Sequence, residues 1–153
     1  MLCPTRFILQ TRQNIIQLID TLPIDQLNKI PEGFNNNIIW NFAHIVVTQQ
    51  ILCYQLANQP LHLTDDICNE FKKGTRPQRN LNAEEISFFK ERAISLVHTL
   101  NEDFQKGMFM NYNEYQTSSG IILKNIKDAV HYVQTHDALH HGTILALKKL
   151  VNS

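Results

Sequence analysis

The sequence predicts an all-α fold, a four-helix bundle with long connections between its second and third and its third and fourth helices. Three observations lead there. Four segments repeat their apolar residues at helical spacing, most of them open on residues suited to capping, and no stretch sustains the alternation of a strand. At 153 residues the chain has the length of one domain and can bury a core without disulfides, so residues 1–153 are read as a single domain.

The first helix is expected over about residues 5–22, where Ile8, Thr11, Ile15, Leu18 and Leu22 step by three and four. Pro23 and Pro31 bracket the connection that follows. The second begins after the run Asn35, Asn36, Asn37, whose side chains cap well, and extends to about Asn58 with the stripe Trp40, His44, Val47, Ile51 and Tyr54. The third covers about 83–104, opened by Asn82 with Glu85 three positions on, a capping-box pattern. Its stripe is Ile86, Phe89, Ala93, Leu96, Val97, Leu100 and Phe104. The fourth covers about 125–150, with Asn125 as cap, Asp128 in the first turn where negative charge suits the helix dipole, and Ala129, Val133, His136, His140, Ile144 and Leu147 in line. The segment "FKKGTRPQRNLN" reads as loop, and "GMFMNYNEYQTSSGIIL" as a short hairpin or a closing flap.

Lysine plus arginine and aspartate plus glutamate number 14 each, which leaves no global field for nucleic acid or an anionic membrane. Cys3, Cys53 and Cys68 are odd in number and form no CxxC pair, as expected in a reducing compartment. The N-terminal residues lack the pattern of a signal peptide and no apolar run reaches about 18 residues, so the expectation is a cytoplasmic protein without a membrane span.

The histidines carry the functional argument. His136 and His140 are an i, i+4 pair, about 40° apart around the axis, and point the same way as two nitrogen ligands for one ion would. His44 lies in the apolar stripe of another helix. Three inward imidazoles are costly to desolvate unless they share a partner, and one divalent cation would serve all three. His62, His98, His131 and His141 lie off these stripes and are read as structural or solvated; Asp137 is read as a surface carboxylate, with orientation of a ligand ring as its functional option.

With "WNFAHIVVTQQ" followed by "HDALHHG", the chain resembles the DinB-like (DinB/YfiT) superfamily of metal-binding four-helix bundles. "LPIDQLNKIPEGFNNNIIW", "FKKGTRP" and "YQTSSG" are similar to connecting segments of one of its subgroups. The resemblance implies a divalent metal on His44, His136 and His140, with Gly142 as the glycine that often follows the third ligand. It also implies relatives that are thiol S-transferases using bacillithiol or similar low-molecular-weight thiols, and pairing of chains into a homodimer. Imidazole ligands accept zinc, nickel or iron alike. The expected function is metal-dependent thiol transfer to small electrophiles, with small-molecule thiol and electrophile as partners. A metal-dependent hydrolase and a non-enzymatic metal-binding or dimerising bundle are the alternatives. Glu114, Tyr112 and Tyr115 are the candidate bases, and Lys72, Lys73, Arg76 and Arg79 the candidate attraction for an anionic thiol.

Overall fold

The computed structural model describes residues 4–152, so Cys3 lies outside the described residues. Its long helices are α1 (Arg6–Asp20), α3 (Ile38–Gln49), α5 (Ala83–Gln105) and α6 (Ile126–Val151). Two short helices, α2 (Ile24–Asn28) and α4 (Asp65–Phe71), lie in the connections on either side of the second long helix. Each is a turn or two long, too short to show periodicity in sequence.

The helix starts follow their capping residues. Asn37 accepts the Trp40 N–H at 2.8 Å, and Asn125 accepts that of Asp128 at 3.0 Å. At α5 the capping box forms in both directions, Asn82 accepting from Glu85 and Glu85 from Asn82. α3 does not end at Gln49 but continues through a π-helical turn, Gln50–Tyr54, and a 3₁₀ turn, Gln55–Ala57. Asn58, in the left-handed region at φ 58°, stops it at the expected boundary.

α1 packs on α5 and α6, and α3 packs on the same two, so α1 stands diagonally across the bundle from α3. Ile38 to Val47 are buried throughout, which makes α3 the central helix rather than an amphipathic one. The core runs from Ile15, Leu18 and Ile19 through Phe42, Ile45 and Val46 to Ala93, Leu96, Ile144 and Leu147. A second apolar cluster joins Ile8, Leu100, Leu123, Val130 and Val133.

The segment before α6 is a hairpin. β1 (Tyr115–Gln116) pairs antiparallel with β2 (Ile122–Leu123), Tyr115 opposite Leu123. The Thr117 N–H donates to Ile121 O at 2.8 Å, leaving a three-residue loop that closes on Gly120 at φ 87°. Tyr112 Oη donates to Leu52 O and the Asn113 N–H to Leu56 O, which tie this segment to the tail of α3.

The buried polar centre of the bundle was not anticipated. Arg12 and Asp137 are both 0% exposed and paired, Arg12 Nε donating to Asp137 Oδ2 at 2.8 Å. Arg12 also donates to Gln49 Oε1 at 2.7 Å, Ala93 O at 3.1 Å and Ile45 O at 3.3 Å, while Gln49 Nε2 donates to Leu96 O. One guanidinium thus joins all four long helices. Asp137 is therefore not a surface carboxylate, and the carboxylate oxygen that is bonded serves Arg12 rather than a histidine ring. Its other oxygen, Oδ1, is buried and has no hydrogen-bond partner among the described residues.

Candidate metal centre

His44 on α3 and His136 and His140 on α6 converge at one end of the α3–α6 contact. Ring centroids are 5.1 Å apart for His44 and His136, 4.8 Å for His44 and His140, and 4.4 Å for the α6 pair. One nitrogen from each falls within 4.8 Å of the others, so the three can hold a metal ion. The two α6 rings are half-buried rather than in the core. The deepest line of α6 is Val130, Val133, Asp137 and Ile144, and the imidazoles stand about 60–100° around the helix from Asp137.

The rings are held by their other nitrogens. His44 Nδ1–H donates to Phe71 O at 2.7 Å, and its ring stacks on Trp40 at 4.6 Å with 10° between planes. His140 Nδ1 lies 2.7 Å from Asn41 Oδ1, an acceptor when the ring carries its proton there. Both bonds leave Nε2 with its lone pair, the tautomer a metal ligand needs, fixed by partners outside the ring cluster. Thr48 Oγ1 sits 3.5 Å from His44 Nε2. His136 Nδ1 is buried and has no hydrogen-bond partner among the described residues. A set of neutral nitrogen donors with one orphaned buried atom fits a divalent first-row ion.

Electrostatics keep the rings neutral. Burial above all, then His140, His44 and Arg12, depresses His136 to about 2. Burial and then His44 depress His140 to about 4. Burial also lowers His44, against the opposing pull of its bond to Phe71 O.

The cluster opens into a cavity of about 360 Å³. Thr48, Ile51 and Leu52 wall it from α3, Tyr132 and Leu139 from α6, and Tyr115 with Thr117, Ser118 and Ser119 from the hairpin. Ile51 and Leu52 belong to the π turn, a local widening of the helix beside the site. Of the three expected bases only Tyr115 reaches the cavity. Glu114 is exposed and lines no part of it. Tyr112 donates to a carbonyl, and burial raises its hydroxyl, which keeps it protonated.

The basic loop divides in the same way. Lys73 lines the cavity, whereas Arg79 pairs with Glu70 and Glu85, Lys72 donates to Asn69, and Arg76 lines separate grooves. His98 and His131 are exposed, and His62 packs edge-on against Tyr54. Cys53 and Cys68 are buried and form no disulfide. Among the described residues no helix is long and apolar enough to cross a membrane.

The fold and the site together define a helical bundle carrying a three-histidine cluster, shared between two helices, that can hold a metal. A family model described as the DinB superfamily matches residues 8–144, and the chain belongs to that superfamily. No curated protein matches its sequence.

Proposed function

We propose that the chain holds one divalent metal ion on His44, His136 and His140 and uses the site to transfer a low-molecular-weight thiol to a small electrophile. The observation that carries this reading is the tying back of His44 and His140 through Nδ1 while one ring nitrogen from each of His44, His136 and His140 lies within 4.8 Å of the others beside a cavity. A divalent ion bound there supplies a Lewis acid that lowers the pKa of a coordinated thiol or water. Three protein ligands leave coordination positions open, in contrast to a closed structural site.

The remaining work falls to this chain's residues. Depressed histidine pKa values keep all three donors in their ligating form down to mildly acidic pH. Ile51 and Leu52 give one side of the cavity an apolar surface, and Tyr115 is the lining residue assigned to accept or return a proton. Direct attack by water, the hydrolase reading, would use the same residues and is separated from thiol transfer by whether turnover requires added thiol.

Elemental analysis of untagged protein tests the site. About one divalent ion per chain is expected, falling below about a tenth in His44→Ala, His136→Ala and His140→Ala, and retained in His98→Ala and His131→Ala. Protein that neither carries nor takes up zinc, nickel, iron or manganese would overturn the reading. Removing the acceptor of His140 in Asn41→Ala is expected to weaken metal affinity by about 10–100-fold, measured by chelator competition.

A further inference from the structure

We infer that the ligand of the histidine cavity is an apolar-bodied monoanion whose charged group pairs with Lys73 at the mouth. The inference rests on the proposed use of this cavity as a small-molecule site. Among the described residues lining it, Lys73 is the one lysine, arginine, aspartate or glutamate. The rest of the lining includes Ile51, Leu52, Leu139, Tyr115 and Tyr132. Such a surface takes an apolar body, and a single cation at its edge selects one negative group.

Local structure places Lys73 there. α4 ends at Phe71, whose carbonyl is the acceptor for His44 Nδ1–H, so the chain two residues before Lys73 is tied to the cluster. Lys72 to Thr75 then form a tight turn. The Thr75 N–H and Oγ1 both donate to Lys72 O, at 3.2 and 2.7 Å, and Gly74 takes φ 87°, a value that favours glycine. Lys73 is the residue before that glycine, at the tip of the turn. Unlike Arg79 and Lys72, Lys73 forms no ion pair or side-chain hydrogen bond among the described residues. Ser118 and Ser119, on the facing hairpin loop, bring hydroxyls to the same cavity. An ammonium without an ion pair among the described residues, on a hydrogen-bonded turn at the edge of a cavity that also carries hydroxyls, suits a carboxylate.

The test compares 2-naphthoate with its neutral counterpart 2-naphthamide, titrated by amide NMR into the protein as purified and again after chelation. The expected result is shifts centred on Ile51, Lys73 and Leu139, with naphthoate binding about fivefold tighter than naphthamide in both forms. Lys73→Met should abolish that preference without weakening naphthamide, and Lys73→Arg should keep it. A preference that survives Lys73→Met, or that vanishes on chelation because the metal was the anion's partner, overturns the inference. So does binding of both probes away from the cavity. Because the decisive arm uses chelated protein, a failure of the metal reading would show in elemental analysis and leave this comparison intact.

Discussion

Arg12→Ala should lower the stability of the protein by about 3–5 kcal/mol, measured as a shift of the urea midpoint at constant slope. The magnitude follows from what the substitution leaves behind. Asp137 is 0% exposed, and without Arg12 its carboxylate has no countercharge in a bundle interior. Gln49 Oε1 loses its donor at the same time, and an unpaired buried acceptor has its own desolvation cost. Burial already pushes the Asp137 carboxyl upward against the pull of the guanidinium. Loss of Arg12 leaves that push unopposed, so the variant should fold with Asp137 protonated. A paired variant, Arg12→Met with Asp137→Leu, should recover at least about half of the loss, because replacing both charges removes the desolvation cost along with the attraction. A midpoint shift worth less than about 1 kcal/mol in Arg12→Ala would show that the pair is hydrated in solution.

The same pair bears on the metal centre through register. Asp137 follows His136 in α6, and Arg12 holds it against α3 through Gln49 and Ile45 O and against α5 through Ala93 O. Rotation or sliding of α6 would break those bonds before it separated the imidazoles. The buried ion pair thus links the turn of α6 that carries His136 to the helix that carries His44, and Arg12→Ala is expected to weaken metal affinity, measured by chelator competition, as well as stability.

How much of this was legible in the sequence depends on the kind of residue. The long helices were readable from their apolar spacing, with which Asn caps agree at α3, α5 and α6, and the histidine cluster because His136 and His140 repeat at i, i+4 and His44 interrupts an apolar stripe. Arg12 was passed over for Thr11, which is only half-buried. Yet Ile8, Arg12, Ile15 and Ile19 step by four, three and four, and all are buried, so the spacing held the signal and the residue type concealed it. Asp137 is the same case, in line with Val130, Val133 and Ile144. A charged side chain is rarely buried unless paired, and its partner, here 125 positions away, cannot be read from one sequence. The division of the basic loop, Lys73 toward the cavity and Arg79 toward Glu70 and Glu85, depends on a turn whose orientation is set by tertiary packing.

Chelated, metal-free protein should lose stability steeply as pH falls below about 6.5. An imidazole whose folded pKa is depressed favours the native state only while it is neutral in both states, so its contribution is full above the unfolded value of 6.5 and declines below it. The unfolded chain then takes up protons that the native chain refuses, until the folded pKa is reached at about 4 for His140 and about 2 for His136. Each such group costs about 1.4 kcal/mol per pH unit. Between pH 6.5 and 5 the two together remove roughly 3 kcal/mol, and His44, lowered as well, adds in the same direction. That is a large part of the stability of an ordinary domain. Asp137, raised by burial, works in the opposite sense wherever its native carboxyl is protonated and the unfolded one is still ionised, so the measured fall is that of the histidines less this contribution. Urea midpoints of the chelated protein measured from pH 8 to 5 should be flat above about 7 and then fall. In the double variant His136→Phe, His140→Phe the fall should shrink to the part left by His44. A flat profile in the chelated protein would mean that the rings are hydrated and protonate freely in the native state, and that the cluster is not the desolvated donor set from which metal binding is argued.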